Sequence, residues 1–125
     1  MTEKGTTIKG SRIAQVTIVA PDLPASIAFY RDAFDAEFLS DFNSFQFGSY
    51  NEADFFLLTV ADPELHPWPG GPAKFGLLVP DIDAAHARAL TAGATEVCPP
   101  QDQPWKPRCS CVADPAGNNI DLYQS

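Results

Sequence analysis

The sequence predicts an α+β fold built from two β-α-β-β-β modules. Three observations indicate it: short β-branched, apolar runs bounded by turn residues, two stretches with a helical spacing of apolar side chains, and a repeat of the same order of elements in the second half of the chain. A chain of 125 residues, 45% of them hydrophobic, is long enough for one hydrophobic core. We therefore expect a single domain over residues 12–125, after a disordered tail at residues 1–11 that is rich in Thr, Gly and Lys.

Module one spans residues 12–60 and begins with a strand over Ile13–Ala20, where most residues are β-branched or apolar. Pro21–Pro24 ends this strand, and either Asp22 or Ser26 can cap the helix that follows. Three short strands separated by turn residues complete the module: Glu37–Asp41, Phe45–Ser49 and Asp54–Val60.

Module two spans residues 74–124 and follows a connection, residues 61–73, that is rich in Pro and Gly. The pair Pro80-Asp81 ends its first strand as Pro21-Asp22 ends the first strand of module one, which indicates an internal duplication. The predicted elements are strands at Lys74–Val79, Glu96–Cys98, Arg108–Ala113 and Asn119–Tyr123, and a helix at Ala84–Ala92 that Gly93 ends.

Composition argues against a nucleic-acid or membrane partner. Eight Lys and Arg stand against 16 Asp and Glu, and the few basic residues are scattered, whereas phosphate binding requires clustered cations. No apolar run approaches the roughly 18 residues that cross a bilayer, and the first residues lack the apolar stretch of a secretion signal. We expect a cytoplasmic protein with neutral or cationic small-molecule partners, although an acidic surface serves solubility equally well.

The cysteines and histidines predict no metal or catalytic centre. Cys98, Cys109 and Cys111 are odd in number and lie in no cluster of four Cys or His ligands, so we interpret them as small packing residues. His66 lies in the Pro-rich connection and His86 in the second helix, and both are expected at the surface.

Motifs in both modules can be compared with a known family. Gln15–Leu23 joins the first strand to the first helix, Ile27–Tyr30 lies in that helix, and Asp114–Leu122 carries Asp-Pro-x-Gly-Asn before the last strand. Together with the duplication, these motifs resemble the glyoxalase, bleomycin-resistance and extradiol-dioxygenase superfamily over residues 12–124. The resemblance implies a cup of curled mixed sheets with the helices on its outer face. It also implies a homodimer, in which modules pair either within or between chains.

In the metal-dependent members of that superfamily, four positions that face the cup hold a divalent ion, and they match Gln15, Leu57, Lys74 and Asp121. Strand alternation independently places Gln15, Lys74 and Asp121 opposite the apolar faces of their strands. Leu57 has no donor atom and Lys74 adds a positive charge, so we expect no metal site and no resident cofactor. Lys74 has two alternatives: an ion pair with Asp121 in place of the cation, or an unpaired side chain that extends to the rim.

Aromatic residues supply the other candidate binding surface. Trp68 and Trp105 lie in Pro-rich loops, where an indole suits stacking on a flat ligand better than core packing. The segment 54–67 also resembles the drug-sequestering branch of the superfamily, which lacks the metal ligands and binds aromatic antibiotics between two subunits. The predicted ligand-binding residues are Gln15, Phe45, Phe47, Phe55, Leu57, Trp68, Lys74, Trp105, Arg108 and Asp121.

Three functions are open from the sequence. The first, which the residues favour, is a non-catalytic homodimer that sequesters a planar aromatic natural product or antibiotic and so confers resistance. The second is a metal-dependent enzyme of the glyoxalase or dioxygenase type, with a relocated ligand set. The third is a metal-free enzyme, or an interaction module with an empty cup.

Overall fold

A computed structural model describes residues 15–48, 56–61, 72–104 and 106–125, with the side chains of Phe56 and Lys106 left out of the description. The predicted tail, most of the connection, and one end of each of three predicted strands lie outside these ranges.

The elements of module one are β1 (Gln15–Ile18), α1 (Leu23–Phe34), β2 (Glu37–Leu39), β3 (Ser44–Phe47) and β4 (Phe56–Val60). The four strands form one sheet in the order β1-β4-β3-β2. β1 pairs in parallel with β4, and the remaining pairs are antiparallel. A 3₁₀ turn at Ser40–Phe42 replaces the end that the sequence predicts for β2, and Asn43 follows it in the left-handed conformation with φ 47°.

The elements of module two are β5 (Lys74–Val79), α2 (Ile82–Thr91), β6 (Thr95–Gln103), β7 (Lys106–Ala113) and β8 (Asn119–Gln124). The four strands repeat the arrangement of the first sheet in the order β5-β8-β7-β6, with β5 and β8 parallel. The repeat confirms the predicted pair of β-α-β-β-β modules. β6 is longer than predicted, and it is irregular because register shifts interrupt its pairing with β7 and it contains Pro99 and Pro100 at the sheet edge.

The duplicated Pro-Asp pairs have the same structural role in both modules. The carboxylate of Asp22 accepts a hydrogen bond from the Ala25 amide at 3.2 Å, and that of Asp81 accepts one from the Ala84 amide at 3.2 Å. Each therefore caps a helix whose first amides have no partner within the helix. Ser26, the alternative cap for α1, is buried instead.

The core lies between each helix and one face of its sheet. Alternate residues of β4 and β8 are buried there, and the aromatic side chains of α1 pack edge-to-face and tilted against one another. The largest fully buried apolar side chains are Tyr30, Phe29, Phe45, Ile18, Leu58, Ile82, Ile120, Leu122 and Val112.

The turn between β7 and β8 links the two modules. Asn118 is fully buried, and its side-chain oxygen accepts hydrogen bonds from the amides of Val19 at 3.2 Å and Ala73 at 2.9 Å. Its amide nitrogen donates to the Val19 carbonyl at 2.7 Å and to the carboxylate of Asp114 at 2.9 Å. The same carboxylate accepts the Tyr30 hydroxyl at 2.6 Å, so the Asp-Pro-x-Gly-Asn motif connects module two to both β1 and α1.

The two helices also contact each other. Arg88 of α2 forms a two-pronged ion pair with Asp35, with nitrogen–oxygen distances of 2.7 and 3.2 Å, and donates to the Asp32 carbonyl at 2.7 Å. The modules of one chain therefore meet through their helices and through the β7–β8 turn.

Candidate functional site

The open face is the name used here for the face of each sheet that lies opposite its helix. Burial identifies it in β5, because Phe75 and Val79 are buried against the helix side while Leu78, on the other side, is 73% exposed. Register partners extend the assignment across both sheets. Among the residues of the open face are Gln15, Thr17, Leu57 and Thr59 in the first sheet, and Lys74, Gly76, Leu78, Cys109, Cys111, Asn119, Asp121 and Tyr123 in the second.

Lys74 and Asp121 form an ion pair on the open face of the second sheet. The Lys74 ammonium lies 3.5 Å from a carboxylate oxygen of Asp121, and the two side chains are 65% and 21% exposed. Of the two alternatives for Lys74, the structure therefore shows the ion pair, with the lysine still largely open to solvent. An exposed pair of this kind contributes about 0–1 kcal/mol to stability, so its importance lies in the charge that it presents.

Gln15 and Leu57 are the corresponding residues of the first sheet. They are register partners in the parallel pair β1–β4, and both side chains are at least partly exposed. Strand alternation thus assigned Gln15, Lys74 and Asp121 correctly to the open face. Leu57 gives that face an aliphatic side chain with no donor atom.

These four side chains do not fit a divalent metal ion. A cation near Asp121 would meet the ammonium of Lys74, which is already paired with that carboxylate, and Leu57 has no donor atom. In the part of the chain that the structure describes, no group of three or more His, Cys, Asp or Glu side chains is arranged to hold a metal. We derive no chemical step through a metal at this face.

A row of register partners crosses the open face of the second sheet. Cys98 pairs with Cys111, Cys111 pairs with Asp121, and Asp121 pairs with Gly76. Burial, together with the nearby Asp121 carboxylate, raises the pKa of the Cys111 thiol to about 11. The Cys111 thiol also lies 3.8 Å from the Val112 carbonyl.

The interpretation of all three cysteines as packing residues needs correction. Cys111 is buried, whereas Cys98 on the edge strand β6 is exposed and Cys109 is half-buried. Strand alternation in the sequence already indicates that Cys109 and Cys111 share the face of Asp121, the residue opposite Cys111 on the neighbouring strand.

Gly76 leaves space in which the ring of Tyr123 lies. A methyl group added at Gly76 would come within 3.0 Å of a ring carbon of Tyr123, so a side chain there would displace the ring. Tyr123 is consequently an aromatic residue of the open face, although it is not among the predicted ligand-binding residues.

Phe45 and Phe47 lie on the opposite, helix-facing side of β3, so the expectation that they contact a ligand needs correction. Phe45 is fully buried, with its ring centroid 4.7 Å from that of Tyr30 and 5.1 Å from that of Phe38. Phe47 packs with Tyr30 and Phe34 at 6.5 Å. The shared face predicted for these two rings is thus a core face.

Arg108 also lies on the helix side, and it is not positioned to bind a ligand on the open face. Its guanidinium forms ion pairs with Asp83 at 3.0 Å and Asp102 at 3.2 Å. The hydrogen bond from Arg108 and its positive charge lower the pKa of Asp83, which stands in the first turn of α2. Arg108 therefore holds α2 against the sheet.

His86 is buried, which contradicts its predicted surface position. Its Nδ1 atom lies 2.9 Å from the Ser110 hydroxyl, and its Nε2 atom lies 2.8 Å from the Glu96 carboxylate. An ionised carboxylate only accepts, so Nε2 donates to Glu96. Ser110 is itself buried beneath α2, so this Ser-His-Glu chain holds the helix on the sheet and offers no accessible nucleophile.

Phe55, Trp68, Trp105 and His66 lie outside the described residues, so the predicted loop aromatics have no structural test here. Neither α1 nor α2, the α-helices within the described ranges, is long and apolar enough to cross a membrane.

Part of the chain is similar to a protein of Mycobacterium tuberculosis. An uncharacterized protein of Mycobacterium tuberculosis (strain ATCC 25618 / H37Rv) is 47% identical over 55 residues, which is 44% of this chain and 32% of that protein. The matched stretch thus spans about a third of the length of that curated relative.

The fold is shared with many solved structures, of which two are described here. A glyoxalase-related enzyme from Fulvimarina pelagi has a TM-score of 0.70 and 17% identity, with 91% of this chain and 88% of that chain covered. TnmS3, an antibiotic binding protein from Streptomyces sp. CB03234, has a TM-score of 0.67 and 23% identity, with 94% and 98% covered. Such a fold hosts both enzymes and binding proteins, so the site residues must decide function.

The sequence profile of one family matches nearly the whole of the described fold, from residue 12 to residue 122. Together with the two repeated modules, this match shows that the chain belongs to the Glyoxalase/Bleomycin resistance protein/Dioxygenase superfamily.

Proposed function

We propose that this protein is a non-catalytic, homodimeric binding protein whose open face sequesters a planar, partly aromatic small molecule such as an antibiotic. The observation that carries the proposal is the ion pair between Lys74 and Asp121. The sequence resemblance matches these two residues and the aliphatic Leu57 to positions that hold the metal in metal-dependent members of the superfamily, and neither an ammonium nor an aliphatic side chain can ligate a metal ion.

The chemistry of this face suits an organic ligand better than a cation. Leu57 and Leu78 give apolar area, the ring of Tyr123 gives a stacking surface, and Lys74 and Asp121 give one charge of each sign for orientation. A neutral or zwitterionic molecule could therefore exchange the long 3.5 Å ion pair for hydrogen bonds of its own. The fold shared with the antibiotic binding protein TnmS3 supports the same class of ligand.

A second copy of the chain would complete the site. The two open faces belong to separate sheets, and among the described residues β1 pairs only with β4 and β5 only with β8. Within one chain the modules meet through their helices, so β1 and β5 keep edges on which another chain can pair. Burial of the exposed Leu78 would add to such a dimer.

Fluorescence titration with a panel of planar aromatic antibiotics tests the proposal. Trp68 and Trp105 provide the signal, and the matched charge variants are Lys74→Gln on the open face and Arg31→Gln on the exposed surface of α1. We expect saturable quenching that weakens by roughly 10-fold in Lys74→Gln, about 1.4 kcal/mol, and stays unchanged in Arg31→Gln.

Three outcomes would contradict the proposal. They are the absence of quenching by any compound, equal affinities in both variants, or turnover of a glyoxalase or dioxygenase substrate with stoichiometric metal. The dimer has its own test, because a sedimentation mass equal to the chain mass of 13.5 kDa at micromolar concentration would exclude it.

A further inference from the structure

The two cysteines Cys98 and Cys111 stand opposite each other on β6 and β7, at the end of the row that continues to Asp121. Directly opposed residues in an antiparallel pair have Cα atoms about 4.5–5.5 Å apart. A disulfide bond accepts Cα separations of about 4.4–6.8 Å, a range that includes the separation of directly opposed residues. Both cysteines are free thiols in the structure.

The two thiols differ in accessibility. Cys98 is exposed on an edge strand, where a small oxidant can reach it, whereas Cys111 is buried beside the Asp121 carboxylate. The raised pKa of Cys111 keeps that sulfur protonated near neutral pH, and the thiolate is the reactive form. Of these two thiols, Cys98 is therefore the one at which oxidation would begin.

We propose that Cys98 and Cys111 form a redox-modification site on the open face, which a peroxide converts into an intramolecular cross-strand disulfide. In the first step the Cys98 sulfur attacks one peroxide oxygen, the oxygen–oxygen bond breaks, and Cys98 sulfenic acid and one water form. In the second step the Cys111 sulfur attacks the Cys98 sulfur, the sulfur–oxygen bond breaks, and the hydroxyl leaves as water with the Cys111 proton. Two thiols are oxidised to one disulfide, and one peroxide is reduced to two waters.

The modification would change the surroundings of Asp121. Once the Cys111 sulfur is bonded to Cys98, it has no proton to donate to the Asp121 carboxylate, and that carboxylate keeps only its ion pair with Lys74. The inference goes beyond the proposed binding function and does not depend on it, because the thiols, their register and their burial are independent of any ligand.

Peptide mapping after peroxide treatment of the full chain is the direct test. Trypsin separates Cys98 from the other two cysteines, because cleavage after Arg108 leaves Cys109 and Cys111 together in the final peptide. Cys109 provides the matched control, since it lies two residues from Cys111 on the same face but opposite Gln101. We expect a linked peptide pair that has lost two hydrogen atoms in the wild type and in Cys109→Ser. The pair should be lost in Cys98→Ser, whose substitution is at an exposed position and should leave the fold intact.

Trapping with dimedone distinguishes this order of events from nonspecific oxidation. Cys111→Ser has no second thiol, so Cys98 sulfenic acid should accumulate and be labelled several-fold more than in the wild type. The inference is overturned if Cys98 bonds to Cys109, if it bonds to Cys98 of a second chain, or if the treated wild type keeps three free thiols. Equal dimedone labelling in the wild type and in Cys111→Ser would also overturn it.

Discussion

Replacing Asn118 with Ala tests the link between the modules. The side-chain amide makes four hydrogen bonds, to the amides of Val19 and Ala73, to the Val19 carbonyl and to the Asp114 carboxylate. The site is fully buried, so water does not readily replace these partners. At about 1 kcal/mol net for each bond, the variant should lose about 4 kcal/mol of unfolding free energy. That is a large part of the roughly 5–15 kcal/mol that stabilises a typical domain.

The assay is urea unfolding followed by far-ultraviolet circular dichroism, with Asn119→Ala as the matched control. Asn119 is half-buried on the open face, where water can satisfy its amide, so its loss should be under about 1 kcal/mol. When the same signal is followed during heating, the Asn118 variant should unfold on the order of 15 °C below the wild type. Equal, small losses in the two variants would refute the assignment of Asn118 as the connection between modules.

Three further predictions concern charge and metal binding. Tyr30 donates to Asp114, and burial raises the pKa of its hydroxyl above the ordinary value, so Tyr30 stays protonated in the folded protein. Tyr30→Phe should therefore leave the phenolate absorbance of the folded protein unchanged in an alkaline titration, and a smaller absorbance in the variant would contradict this. The Arg88 hydrogen bond lowers the pKa of Asp35, so the stabilisation is present above the unfolded value of 3.8 and is lost as pH falls through the lower folded value. Urea unfolding from pH 7 to 3 should therefore give a shallower acid decline in Arg88→Gln, and an unchanged decline would contradict this cause. The double substitution L57H/K74H should create Ni²⁺ binding, measured by calorimetry, because it adds two donors and removes the ammonium; binding equal to that of wild type would contradict the donor argument.

The residues of the open face were predicted better by the period of two along the strands than by the type of their side chains. The period of two placed Gln15, Lys74 and Asp121 opposite the apolar sets, and the structure has them there. One of the two predicted caps for α1, Asp22, is confirmed, because a capping carboxylate is a local signal. The start of α2 was predicted at Ala84, but the helix begins at Ile82 because Asp81 caps it.

The errors came from contacts that join distant segments. Phe45 and Phe47 share a face, as alternation predicts, but only the packing of Tyr30 against them identifies that face as the core. Arg108 and His86 carry polar groups that suggest function, yet each is satisfied by a partner at least ten residues away on the helix side. Such pairings depend on tertiary structure, so a local reading of composition does not reveal them.

The pairing of Cys98 with Cys111 also depends on tertiary structure, and it was not predicted from the sequence. Cys98 and Cys111 are separated by a turn and by an irregular strand with two prolines, and the bulges decide which residue of β6 stands opposite Cys111. A one-residue change of register would turn Cys98 to the other face.

Metal analysis of the wild-type protein, purified without chelators and incubated with Zn²⁺, Ni²⁺, Mn²⁺ or Fe²⁺ before desalting, tests the central claim most directly. The ion pair of Lys74 with Asp121 and the aliphatic Leu57 predict far less than one metal ion per chain. One bound metal ion per chain of the wild type, with that metal binding lost in Asp121→Asn, would contradict the claim that this face holds no metal.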